Sequence, residues 1–107
     1  MSEEQTLVSG AFHAFLNEAP AYAKAWGEMV QALSAASALD KKTSALAYLS
    51  VLAAMNLQGG IPFHARAAKE SGASREEVIG ALLLGMPAAG HGVTRALPAA
   101  LEAFDSP

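Results

Sequence analysis

The sequence predicts an all-α fold of about six helices in a single domain. Apolar residues recur at helical spacing along most of the chain, no run alternates with a period of two, and capping residues, glycines and prolines divide the pattern into helix-length segments. At 107 residues the chain suits one hydrophobic core, being well above the size at which a lone core fails and well below the size at which cores split. The whole of 1–107 is therefore read as one domain, without internal repeat or linker.

The elements follow in order. Leu7, Val8, Ala11, Phe12, Phe15 and Leu16 form one helical stripe, with Glu3, Glu4 and Gln5 placed near the positive end of the dipole. Pro20 opens a second helix, where its missing N–H costs nothing, and Tyr22, Trp26, Met29, Val30 and Leu33 carry the period onward. Asp40 is a good N-cap for a third helix expected to reach about Leu57, apolar around most of its girth and so expected to be the most buried element. Gly59-Gly60 breaks it. Pro62 marks a fourth, short helix ending at Gly72, a left-handed C-cap. Ser74 and Glu77 form a capping box for a fifth helix whose core face is Val78, Ile79, Leu82, Leu83 and Met86, with Gly80 and Gly85 admitting a neighbouring backbone. After a break at residues 87–92, Val93, Leu97, Ala100, Leu101 and Phe104 set the last helix, with Pro98 early in it or kinking it.

Composition narrows the function classes. A hydrophobic content of 52% beside only 16% charged residues is high for so small a chain, and burial between identical subunits is the ordinary way such a surface stays soluble. A homo-oligomer is expected. The net charge of -3 and the pI near 5.5 offer no basic stripe for counterion release, so nucleic acid is not expected as a partner. The acidic start, Met1-Ser2-Glu3-Glu4-Gln5, lacks the basic region of a signal peptide, and the most apolar window, residues 45–57, is shorter than the roughly 20 residues that span a bilayer. A cytoplasmic protein with no membrane partner is expected. The absence of cysteine removes disulfides, thiolate metal sites and any thiol nucleophile.

Several segments in order carry a resemblance: Asp40-Lys41-Lys42 opening a buried helix, a glycine-containing turn, Ile61-Pro62-Phe63-His64, Gly72-Ala73-Ser74-Arg75-Glu76-Glu77-Val78-Ile79, and Met86-Pro87-Ala88-Ala89-Gly90-His91-Gly92. Over roughly residues 20–104 the chain resembles the carboxymuconolactone decarboxylase and alkylhydroperoxidase D family. The resemblance implies an all-α bundle that assembles as a trimer or hexamer, with neighbouring subunits completing the site. In the peroxidase branch a Cys-x-x-Cys pair is followed four residues later by a histidine, with a glutamate on the preceding helix. Carried over, these positions fall on Leu57, Gly60, His64 and Ala45. Only the histidine remains, so antioxidant peroxidase activity of the peroxiredoxin kind is what the family name suggests and the residues contradict. In the decarboxylase branch the histidine moves protons. An imidazole titrating near neutrality suits that work, but a polyanionic substrate also requires cations, for which the candidates are Lys41, Lys42, Arg66 and Arg95.

His64 is the one catalytic candidate. The expected ligand contacts are Met55 and Phe63, which flank the Gly-Gly break, the two vacated thiol positions Leu57 and Gly60, and His91 from the later break, which approaches His64 if both breaks face one pocket. His64 also borders the apolar face of Ile61, Ala65 and Ala68, so a purely structural histidine is the alternative. His13 lies off its helix stripe and reads as solvated. Tyr22, Trp26 and Met29 read as core or interface packing. Three histidines without an i, i+4 pair make no metal signature, and no cofactor is implied. The sequence thus favours a family member without the thiol centre that binds a small organic acid or apolar molecule, or serves as a scaffold, around His64. The alternative is a decarboxylase-type acid–base enzyme using the same histidine.

Overall fold

The computed structural model describes residues 7–107, and among them it holds six α-helices of two turns or more and no strand. The predicted all-α class is the class the chain adopts. The helices are α1 (Gly10–Glu18), α2 (Pro20–Ala36), α3 (Lys41–Ala54), α4 (Ile61–Glu70), α5 (Arg75–Leu83) and α6 (Leu97–Asp105). A 3-10 turn, Gln58–Gly60, runs directly into α4, and one helical turn, Met86–Ala89, with a 3-10 stretch, His91–Ala96, carries the chain from α5 to α6.

Local chemistry sets the boundaries. Asp40 caps α3 by accepting from the Thr43 N–H at 2.7 Å, and that bond holds its carboxyl below the ordinary aspartate range. Ser74 and Glu77 close the predicted capping box reciprocally at 3.1 and 2.9 Å. Gly72, at φ 98°, ends α4 as predicted: the Gly72 N–H donates to the Lys69 carbonyl and the Ala73 N–H to the Ala68 carbonyl. Pro20 and Pro98 both sit in first turns, so Pro98 does not kink α6.

Four expectations are corrected. The first helix does not run in one piece from Glu3 to Leu16: Ser9 caps a helix that begins at Gly10, accepting from the Phe12 N–H at 3.1 Å, while Glu3, Glu4 and Gln5 lie outside the described residues. α3 stops at Ala54 rather than Leu57, because Asn56 enters the left-handed region at φ 58° and the Asn56 and Leu57 N–H groups fold back onto the Ala53 and Leu52 carbonyls. This is the same closing motif that Gly72 makes, built on asparagine, the residue after glycine that best tolerates it. α5 ends before Met86, and a Cβ at Gly80 would meet open space, so no backbone approaches there. Finally, α3 is not buried all round. Leu49, Leu52 and Ala53 are buried, but Tyr48, Val51 and Met55 on its other side are exposed.

The core is one cluster shared by α3 (Leu49, Leu52, Ala53), α4 (Ile61, Ala65, Ala68) and α5 (Val78, Leu82), joined by Val93, Ala96, Ala100 and Ala103 from the last segment. Alanine dominates the crossing of α4 and α6, through Ala65, Ala68, Ala100 and Ala103, while α3 meets α4 and α5 mainly through leucine, isoleucine and valine. Polar ties reinforce the α4–α6 seam. Arg66 donates to the carbonyls of Ala103, Ser106 and Pro107, and Lys69 to that of Phe104 while lying 5.0 Å from its ring centre. Cations thus meet the carbonyl end of α6, where the helix dipole is negative. Residues 41–105 form a body in this way.

The first two helices form an arm packed on that body. Ala19, at φ -136° and ψ 59° ahead of Pro20, leaves the helical region and breaks the chain between α1 and α2. The two helices meet through Phe12, Phe15 and Trp26: Trp26 stands edge-on to Phe12 at 5.4 Å and to Phe15 at 6.4 Å between ring centres. Neither helix buries a residue fully. Among the described residues, no helix is long and apolar enough to cross a membrane.

Candidate functional site

His64 owes its position to the closure of α3. The left-handed Asn56 reverses the chain, the 3-10 turn at Gln58–Gly60 brings it alongside α3, and Ile61 and Pro62 open α4, which leaves His64 in that helix's first turn. Its ring lies against Tyr48 of α3, 4.5 Å between centres, and beside Phe63 at 5.2 Å with the planes nearly perpendicular. Burial pushes its pKa below the ordinary histidine value. Burial thus favours the neutral imidazole, and neither ring nitrogen is engaged by another described residue.

A cavity of about 350 Å³ opens between this corner of the body and the arm. The body supplies Gly59, Gly60, Phe63 and His64, and the arm supplies Val8, Ser9, Phe12, Trp26 and Val30. Gly59 is set by space rather than by backbone conformation, whereas a Cβ at Gly60 would make ordinary contacts. A Cβ on Gly59 would stand 3.3 Å from Ser9 Cβ, so its absence lets the N-cap of α1 settle on the turn. A Cβ on Gly60 would stand 3.4 Å from the Leu52 side chain and 3.7 Å from His64 Cδ2.

A family model described as the carboxymuconolactone decarboxylase family matches residues 20–105. The chain belongs to that family. Neither the curated proteins nor the solved structures compared with it provide a match. The matched region begins at Pro20, so Val8, Ser9 and Phe12 build their part of the cavity wall from outside it. Within the family frame, Gly60, which takes the second thiol position by resemblance, stands directly beside the His64 ring, and a side chain there would begin in contact with the imidazole. Leu57, which takes the first thiol position, is exposed and off the cavity wall. Ala45, at the glutamate position, packs against the apolar core.

Of the residues singled out from the sequence, the structure brings Gly60, Phe63 and His64 to one cavity. It does not bring Met55, Leu57 or His91 there. Met55 follows α3 on its outer side, 64% exposed, and His91 is exposed at the start of the 3-10 stretch before α6, with its carbonyl accepting from the Thr94 hydroxyl. The two breaks therefore do not share this pocket. His13, expected in solvent, is partly buried in α1. Sequence reasoning missed Val8, Ser9, Phe12, Trp26, Val30 and Gly59 as wall residues and Tyr48 as the ring against His64. One signal was present: the stripe of Tyr22, Trp26, Met29, Val30 and Leu33 has to face some apolar surface, and the glycine break is the place where a backbone leaves room for it.

Proposed function

We propose that this carboxymuconolactone decarboxylase-family chain is a small-molecule-binding protein of the cytoplasm, without thiol peroxidase chemistry, whose ligand sits against His64. The observation that carries this reading is the lining of the cavity: three aromatic side chains, two valines, two glycines and Ser9 surround one uncommitted neutral imidazole. A volume of about 350 Å³ falls within the range of ligand pockets, and a largely apolar wall with a single convergent polar group is their usual composition. Proton transfer on a polyanionic substrate finds less support. Of the cations considered from sequence, Lys42 is bound to Glu77 at 2.9 Å and Arg66 to the carbonyls after α6, and neither lines the cavity.

The same reading makes the protein a homo-oligomer, trimeric or hexameric. Tyr22 is 75% and Leu33 63% exposed in the single chain, on a helix that buries nothing, and Val51, Met55 and Leu84 add further uncovered apolar surface. Light scattering at micromolar concentration should give a multiple of the chain mass. Thermal unfolding in the presence of a panel of small aromatic compounds and acids should reveal ligands that raise the midpoint, and His64→Ala should remove that effect. Turnover of a lactone or β-keto acid that His64→Ala abolishes would replace binding with lyase chemistry. Dithiol-dependent peroxide reduction should stay at background.

A further inference from the structure

The cavity that the preceding reading treats as a ligand site has a feature that reading does not use: among the described residues, no lysine, arginine, aspartate or glutamate lines it. Several basic side chains are engaged away from it, Lys42 with Glu77, Arg75 with Asp105 at 3.0 and 3.1 Å, and Arg66 and Lys69 with the carbonyls at the end of α6. A carboxylate entering this space would give up part of its water and meet no opposing charge from the described residues, an unfavourable exchange. The ring faces and edges of Phe12, Trp26 and Phe63 instead provide surfaces on which a flat apolar molecule stacks. A cavity of about 150 Å³ already holds benzene, so a space of about 350 Å³ admits one or two fused rings. At the body end, His64 has ring nitrogens without a protein partner, and Ser9 Oγ already accepts from the Phe12 N–H. A neutral imidazole offers one acceptor nitrogen and one N–H donor; a hydroxyl can pair with either, whereas a carboxylate can use only the N–H.

We infer that the site selects uncharged one- or two-ring aromatic molecules bearing a hydroxyl, that it rejects the corresponding carboxylates, and that the residues ahead of the family-matched region, Val8 and Phe12 above all, set this choice. The inference rests on the proposed binding role and sharpens it: the ligand is a phenol rather than an acid. Val8, Ser9 and Phe12 lie outside the matched residues 20–105, so a chain sharing only the matched part need not share the preference.

Titration calorimetry of the full chain at neutral pH with 2-naphthol and 2-naphthoate, two flat molecules of nearly one shape, tests it. The naphthol should bind at least tenfold more tightly than the naphthoate. His64→Phe should weaken naphthol several-fold and leave naphthoate unchanged. Val8→Lys, which places an ammonium on the arm side of the cavity, should narrow or invert the ranking. Equal or tighter binding of naphthoate by the unmodified protein overturns the inference while leaving a ligand site around His64 in place. Binding of neither compound overturns the inference and the proposed binding role together. Naphthol affinity unchanged in His64→Phe overturns the hydroxyl–imidazole contact, and a ranking unchanged in Val8→Lys overturns the assignment of selectivity to the arm.

Discussion

The body and the arm have similar apolar character and opposite fates. In the body, Leu49, Ile61, Val78 and Leu82 are wholly enclosed by their own chain. In the arm, α2 is the longest helix of the described residues, yet Tyr22, Met29 and Leu33 are mainly exposed and no arm residue is fully buried. Hydrophobicity by itself therefore does not predict burial here. The body meets itself because four helices close on one cluster of leucine, isoleucine and valine with alanines at the α4–α6 crossing, whereas the two helices joined at Ala19-Pro20 meet each other on one face and leave the other uncovered. The cavity lies on the boundary between these regimes, with a floor from the closed region and a wall from the open one.

Substitutions can break or sharpen this contrast. The largest effect belongs to the body: Ile61→Ala, which empties a fully enclosed position, should cost about 2–5 kcal/mol in urea unfolding, whereas Leu33→Ser in the arm should cost under about 0.5 kcal/mol in the isolated chain. Equal costs would mean that the arm is as well packed as the body. Next is Gly72→Ala, which forces a Cβ into φ 98° and should cost about 1–2 kcal/mol by the same measurement; an unchanged midpoint would show that the closure of α4 tolerates another geometry. Gly59→Ala acts at the seam. Its new methyl would press on Ser9 at 3.3 Å, so hydrogen exchange should quicken in α1 and stay unchanged in α4.

The smallest effect is that of pH. The folded pKa of His64 lies below its ordinary value of 6.5, so the unfolded chain takes up the proton more readily than the folded one. The stability held by the neutral imidazole is complete above about pH 6.5 and is lost as pH falls through the folded value. Unfolding midpoints measured from about pH 8 down to pH 5 should fall less steeply in His64→Gln than in the unmodified protein. Parallel profiles would show that the imidazole is not desolvated.

Most of the fold could be read from the sequence because its punctuation is chemical and local. Asp40, Gly72, Ser74 with Glu77, Pro20 and Pro98 each act within a few residues of where they stand. The end of α3 escaped because Asn56 was read as part of the helix, although asparagine is the non-glycine residue best suited to a left-handed close. The site was only partly legible for a different reason. His64, Gly60 and Phe63 are neighbours in sequence and stay neighbours in space, while Phe12, Trp26 and Val30 reach them through tertiary packing that no local spacing encodes. Nor does spacing reveal that His91, set in a similar glycine-flanked break, does not line the cavity.

Trp26 has a further consequence. It is the only tryptophan in the chain, 42% exposed, edge-on to two phenylalanines of α1 and on the arm's wall of the cavity that faces the body. Its ultraviolet emission therefore reports on that wall and hardly at all on the interior around Leu49 and Ile61. In most small proteins tryptophan fluorescence and helical circular dichroism follow one melting event. Here the optical signal belongs to the part of the molecule held least firmly, so the separation between the two curves would measure directly how independently the arm lifts from the body.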